Sequence, residues 1–197
     1  MKNINKVLKR FADIVFSFLG LLFSLPFIFF CSIIIKIEDK GPAFFKQERI
    51  GKGGKPFLIY KFRTMIVNTE ENNIPQLAEA NDERLTSFGC FLRKHHLDEM
   101  PQLWNVLKGD MSFVGYRPER KYFIEKIMAV RPDYERLYEI RPGITSLATI
   151  YNGYTYTLEK MIRRLDMDLD YLEHHSFLGD MRIIAQTFIY VILGKKF

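Results

Sequence analysis

Positions 14 to 35 of this chain carry no charged side chain and are mostly apolar. A helix of that length crosses a hydrocarbon core of about 30 Å. Lys2, Lys6, Lys9 and Arg10 precede it, a bias that keeps the N-terminus cytoplasmic. No small-residue cleavage pattern follows, and the chain runs on into a Lys-rich region, which is unlike a signal peptide. Pro26 falls mid-run with Ser24 just before it, and proline removes a helix hydrogen bond and bends or breaks the helix. Two paths fit. A kinked straight span puts the rest of the chain on the far side; a re-entrant hairpin keeps both ends cytoplasmic. Proline is tolerated in membrane helices, so the pattern alone leaves both open.

Beyond the apolar run the periods change. Residues 43–50 read as a strand, Gly51-Lys52-Gly53-Gly54-Lys55 as a turn, and 56–65 as a second strand. The glycine-rich turn lacks the GxxxxGK[ST] pattern of a P-loop and reads as a hairpin connection. On the second strand Leu58, Tyr60 and Phe62 face one way; Lys61 and Arg63 share the other face, where they either converge on an anion or form a solvated edge. Residues 68–83 are polar and read as a loop leading to a helix over 86–96, with Phe88, Phe91, Leu92 and His95 at helical spacing and Arg93 and Lys94 opposite. A further helix starts at Asp98, buries Leu103, Val106 and Leu107, and stops at Gly109 as C′ residue. Helices follow over 120–130, 132–140 and 157–170, with a loop over 141–146. The apolar stretch 181–193 is too short to span, so it is a core helix or one lying in the membrane interface. The expected class is α+β, mostly helical with a small hairpin. The expected division is an N-terminal membrane segment over 1–40 and a catalytic domain over 41–197.

Composition narrows the partners. The 197 residues suffice for one domain plus an appendage, 48% are apolar, and the net charge of +6 suits nucleic acid, anionic lipid or nucleotide. Cys31 and Cys90 are the two cysteines and form no CxxC pair, which excludes a disulfide framework and a Cys-based zinc site. The adjacent histidines His95-His96 and His174-His175 point apart on a helix and make a poor zinc site.

The chemistry concentrates at Asp98-Glu99. A lone acidic pair at a helix start is usually a cap. Here free helix N–H groups also favour a phosphate, and their field lowers a carboxylate pKa, keeping Asp98 ionised as a nucleophile must be. Glu99 beside it can hold Mg²⁺ together with Asp98, since that ion takes one or two carboxylates plus substrate phosphates. Arg63, Arg93 and Arg117 can supply bidentate phosphate contacts.

These residues sit in runs that resemble the bacterial sugar transferase family, the small monotopic polyprenyl-phosphate phosphoglycosyltransferases. The runs are Lys9-Arg10-Phe11-Ala12-Asp13, Gly41-Pro42-Ala43-Phe44-Phe45-Lys46-Gln47-Glu48-Arg49-Ile50-Gly51 and Tyr60-Lys61-Phe62-Arg63-Thr64-Met65. They continue with Leu97-Asp98-Glu99-Met100-Pro101-Gln102-Leu103-Trp104-Asn105-Val106-Leu107-Lys108-Gly109-Asp110-Met111-Ser112, Arg117-Pro118 and Arg141-Pro142-Gly143-Ile144-Thr145.

The resemblance implies transfer of a phospho-sugar from a UDP-sugar to undecaprenyl phosphate with release of UMP, the first membrane step of surface glycan assembly. It gives Asp98 the role of covalent nucleophile and Glu99 that of Mg²⁺ ligand. Lys61, Arg63, Arg93, Arg117 and Asp168 become substrate-binding candidates. It also implies a re-entrant break at Ser24 and Pro26, membrane lipids as partners, no nucleic acid, and a catalytic domain on the cytoplasmic face of the bacterial inner membrane. It leaves a homo-oligomer open, and it implies the minimal catalytic form, without the extra transmembrane helices of larger members. Three departures stand out: Ser24-Leu25-Pro26 where the family has adjacent Ser-Pro, Tyr116 where it has Pro, and Ser146-Leu147-Ala148-Thr149 where it commonly has Gly-Trp-Ala-Gln. The alternatives are a membrane-anchored basic binding protein and a metal-dependent UDP-sugar phosphohydrolase.

Overall fold

A computed structural model describes residues 3–67, 82–153, 155 and 157–193. Most of the expected loop over 68–83 lies outside them. In order, the elements are α1 (Asn3–Glu38), the hairpin β1 (Phe44–Ile50) and β2 (Pro56–Phe62), α2 (Ser87–Lys94), a 3-10 segment Leu97–Gln102, α3 (Leu103–Lys108) and β3 (Ser112–Val114). Then come α4 (Lys121–Met128), a second 3-10 segment Pro132–Glu139, β4 (Gly143–Thr145), α5 (Leu147–Asn152), α6 (Leu158–His174) and α7 (Phe177–Ile192). The protein is mostly helical, as expected.

Helix α1 is apolar on its outside. Asp13, Ser17, Ser24, Cys31 and Ile35 are buried and recur at helical spacing along one stripe, whereas Phe11, Phe23, Phe29 and Phe30 are exposed by 60% or more. The buried serines are satisfied within the helix: Ser17 Oγ donates to Asp13 O, and Ser24 Oγ to Leu21 O. Pro26 does not end the helix but lies inside it. Proline supplies no N–H there and its ring crowds the carbonyl of Leu22, yet the helix runs on through it.

Both ends of α1 are tied to the same domain. Near the N-terminus, Lys9 Nζ reaches Asp180 of α7 at 2.5 Å and Val114 O of β3 at 2.9 Å. Arg10 donates to Val106 O and Leu107 O at 2.7 and 2.9 Å, covering the carbonyl end of α3. Near the C-terminus, Cys31 and Ile35 pack with Phe62 and Leu92, and Glu38 accepts the Phe88 N–H.

The expected hairpin forms, antiparallel with Phe45 opposite Lys61 and Glu48 opposite Leu58. The expected helix from Asp98 to Gly109 divides in two. Pro101 lacks an N–H, and the first turn winds as a 3-10 segment before α3 begins; Gly109 then closes α3 at φ 100° as the expected C′ residue. The stretch 132–140 is likewise 3-10 rather than α.

The expected loop over 141–146 contains a short strand. β4 lies parallel to β3, pairing Ser112 with Gly143 and Val114 with Thr145. The backbones meet so closely that a Cβ on Gly115 would stand 2.4 Å from Arg141 O, and one on Gly143 would stand 2.1 Å from Gly115 N. This contact fixes where the chain leaves β3 and so where Arg117 projects. The main core lies beneath it: Tyr116, Ile124, Ile127, Tyr134, Leu137 and Leu165 are buried together. The apolar stretch 181–193 falls almost wholly in α7, which buries Asp180 and Ile183 and exposes Leu178, Phe188 and Ile189.

Candidate active site

Asp98 and Glu99 stand on the 3-10 segment that follows α2. His96 makes the turn with φ 54°, in the left-handed region that a helix uses at C′. Met100 and Leu97 pack toward Cys31, Ile35 and Phe62, so the segment is clamped between α1 and the hairpin. From the other side the buried Asn105 amide locks α3 to β2: Nδ2 donates to Leu58 O at 2.7 Å and Oδ1 accepts from Tyr60 N at 3.0 Å. That lock sets Lys61 across from Glu99.

Glu99 is held by two cations on one oxygen. Lys61 Nζ lies 2.5 Å and Arg117 Nη2 3.3 Å from Glu99 Oε1. Burial opposes ionisation of Glu99, but Lys61 and Arg117 outweigh it and hold the carboxyl well below the usual range.

Asp98 is different. It is buried, yet no side-chain cap bond forms at the start of this turn, and among the described residues no hydrogen bond or ion pair engages its carboxylate. The expected N-cap role is therefore not taken up. The expected lowering of its pKa is also reversed: burial pushes it up, more than Lys61, Arg93 and Arg117 pull it down. A single 3-10 turn has few aligned peptide dipoles to set against desolvation.

The structure gathers Lys61, Arg93 and Arg117 around the pair but not Arg63. Arg93, on α2, donates Nε to Thr64 Oγ1 at 3.0 Å and lies within electrostatic reach of Asp98. Arg63 is buried and turned toward the end of α1, where its Nη2 bonds Asp39 O and Ile35 O and pairs with the Asp39 carboxylate at 3.6 Å. The strand ends at Phe62, and the terminal carbonyls of α1 offer this guanidinium a better partner than the solvent edge.

Asp168 lies behind the pair rather than beside it. It is buried near Ser146 and Arg117, the residue that grips Glu99, and among the described residues its Oδ1 has no hydrogen-bond partner. Burial, against the pull of Arg164, pushes its pKa up to about 7. The departure at Tyr116 does not displace Arg117: the ring is fully buried in the main core, and its carbonyl accepts the Gly143 N–H at 2.9 Å.

A second layer escaped the sequence reading. Glu119 bonds Arg49 through one oxygen at 3.2 Å and Arg164 through the other at 3.1 Å, which ties the hairpin and α6 to the segment carrying Arg117. The available signals were the Arg117-Pro118 motif, which Glu119 adjoins, and the run over 41–51 that contains Arg49; Arg164 has no local signature.

Among the described residues no cluster of three or more His, Cys, Asp or Glu gathers to hold a metal. The Asp98–Glu99 pair offers one unengaged and one held carboxylate, which fits an ion that completes its shell with substrate phosphates. Trp104 is half exposed.

The family described as bacterial sugar transferase matches residues 4–194. The UDP-glucose:undecaprenyl-phosphate glucose-1-phosphate transferase of Klebsiella pneumoniae is 40% identical over all of this chain and 42% of its own length. The Aeromonas hydrophila UDP-N-acetylgalactosamine-undecaprenyl-phosphate N-acetylgalactosaminephosphotransferase is 35% identical over 95% of this chain and 44% of its own. The exopolysaccharide production protein PSS of Rhizobium leguminosarum is 38% identical over 97% of this chain and 98% of its own. The chain thus spans less than half the length of the first two. The chain belongs to the bacterial sugar transferase family.

Proposed function

We propose that this chain moves a phospho-sugar from a UDP-sugar to undecaprenyl phosphate, releasing UMP, with Asp98 as the attacking group. The observation that carries the reading is the contrast between neighbours: the Glu99 carboxylate is held by Lys61 and Arg117, while the buried Asp98 carboxylate is unengaged and faces cations. An oxygen of Asp98 attacks the phosphorus that bears the sugar, the bond to the bridging oxygen breaks, and UMP leaves with that electron pair. An oxygen of the lipid phosphate then attacks the same phosphorus and returns the carboxylate. Lys61, Arg93 and Arg117 neutralise charge on the phosphoryl oxygens in both steps, and the cations gathered at this site are the main catalytic device. Glu99 and Asp98 would hold Mg²⁺, which supplies further neutralisation of the diphosphate. The names of the relatives make UDP-glucose and UDP-N-acetylgalactosamine the first donors to test.

The same reading places α1 in one leaflet with both ends on the cytoplasmic face of the inner membrane. Its support is that Lys9 and Asp39, near opposite ends of α1, both bond the catalytic domain, while the outer face of phenylalanines needs lipid. α1 is helical through Ser24 and Pro26, so the expected break is not seen there, and a turn of the path would be a bend within the helix. Single cysteines introduced at positions 5 and 40 should react from the same side of right-side-out or inverted vesicles; opposite sidedness would require a span.

The activity test incubates the chain with each UDP-sugar, Mg²⁺ and undecaprenyl phosphate and follows UMP. Lipid-dependent UMP release that Asp98→Asn abolishes supports the reading. Without lipid the covalent step releases at most one UMP per chain; continued release beyond that would favour the hydrolase, and no UMP with any donor counts against both.

A further inference from the structure

We infer that Lys61 occupies the cation position of Glu99 until a donor diphosphate draws it away, so that this chain binds a divalent ion tightly only together with the donor. The inference rests on the proposed function, which supplies the diphosphate and the ion.

The geometry is an ammonium 2.5 Å from Glu99 Oε1, with the Arg117 guanidinium 3.3 Å from the same oxygen. A divalent ion on that oxygen would meet two positive charges at contact distance, and like charges so close in a partly desolvated site repel strongly. The two cations differ in how easily they can yield. Arg117 follows Gly115 and Tyr116, which are backbone-bonded to β4, and the Glu119 network lies two residues further on. Lys61 carries its charge on a flexible four-carbon stem from a strand that Asn105 fixes. Its ammonium can leave Glu99 for a phosphate without any backbone movement.

The ligand set also calls for this coupling. With no third acidic or imidazole ligand among the described residues, the pair cannot saturate a hard ion without substrate oxygens. Donor phosphates would then do two things: supply ligands and remove the competitor. By linkage, the ion must tighten donor binding by the same factor.

The test measures Mn²⁺ binding to the full chain in detergent by the paramagnetic signal of the free ion, with and without UDP. Lys61→Met should bind Mn²⁺ at least about tenfold tighter than wild type without UDP, and UDP should tighten Mn²⁺ less in that variant than in wild type. Lys61→Arg keeps a cation on Glu99 and should stay within about threefold of wild type. Arg93→Met removes a nearby charge that does not bond Glu99 and should also shift affinity less than about threefold. Equal Mn²⁺ affinity in Lys61→Met and wild type overturns the inference, and so does an equal shift from Arg93→Met. Should the Met variant lose its helical circular dichroism, Lys61→Gln takes its place with the same expectation. These outcomes do not depend on turnover. Intact linkage of Mn²⁺ and UDP without lipid-dependent UMP release would sink the proposed function and leave this inference standing.

Discussion

The Asn105 side chain and the Tyr60 backbone form the joint that assembles the site. Asn105 Oδ1 accepts the Tyr60 N–H at 3.0 Å, while its Nδ2 donates to Leu58 O at 2.7 Å. One buried amide thus pairs two groups on β2 that its hairpin partner leaves free, and it sets the neighbouring Lys61 against Glu99. Asn105→Leu has nearly the same volume but leaves a buried donor and a buried acceptor unpaired. The expected loss is roughly 2–4 kcal/mol of stability. Asn105→Asp keeps the acceptor but sets a carboxylate oxygen against Leu58 O, and should lose about as much. Urea unfolding in detergent checks both; a loss under about 0.5 kcal/mol in both variants would show that the joint is dispensable.

Arg63 and Lys61 should separate in their effects. Arg63 ties β2 to Ile35 O and Asp39 and is remote in role from the pair. Arg63→Met should lower the melting temperature, in line with a loss of about 1–3 kcal/mol, because charge-assisted bonds to the end of α1 vanish. Activity per folded molecule should stay near wild type. Lys61→Met should leave the melting temperature less changed and reduce turnover steeply. Equal losses of turnover per folded molecule would return Arg63 to the site.

The contrast between these residues also explains what was legible in the sequence. That Asp98, Glu99, Lys61 and Arg117 come together was legible because each sits in a local run whose chemistry is specific. Arg63 misled because the two-residue period was carried one position past the end of the strand, where the carbonyls of α1 take over. Asp98 misled on its cap and its pKa because Pro101 tightens the turn and burial sets the local field. The pairing of Glu119 with Arg49 and Arg164 joins positions 70 and 45 residues apart, and no window of sequence carries such contacts. In α1 the length was plain. That its inner stripe would be Asp13, Ser17 and Ser24 and its outer face phenylalanine follows only once a domain lies along it.

His96 carries strain that a variant can release. Among the described residues it is the non-glycine residue with positive φ, at 54°, and it ends α2 where glycine is favoured. His96→Gly should stabilise the fold by about 1 kcal/mol, since the left-handed conformation costs an L-residue that amount. His96→Val, β-branched, should lose at least as much. Thermal melts in detergent decide it; a glycine variant melting lower than wild type would mean that contacts of the imidazole outweigh the strain.

Asp168 gives the fold a pH dependence with a definite sign. Its pKa is about 7 when folded, against an ordinary 3.8, because burial disfavours the charged form. Below the ordinary value both folded and unfolded chains hold the proton. Between there and pH 7 the folded chain keeps a proton that the unfolded chain has released, so stability falls as pH rises through this window and levels off above it. An amide at this position has no proton to lose, so the Asp168→Asn difference from wild type should shift in favour of the variant by up to about 4 kcal/mol between pH 4 and pH 8. Asparagine nearly matches aspartate in volume, which lets the comparison isolate the charge. Urea unfolding of both proteins at pH 5, 6, 7 and 8 reads the slope. Parallel stability curves for the two proteins would show that Asp168 titrates in its ordinary range, and that the partners gathered around it, Arg164 first, offset its burial in full.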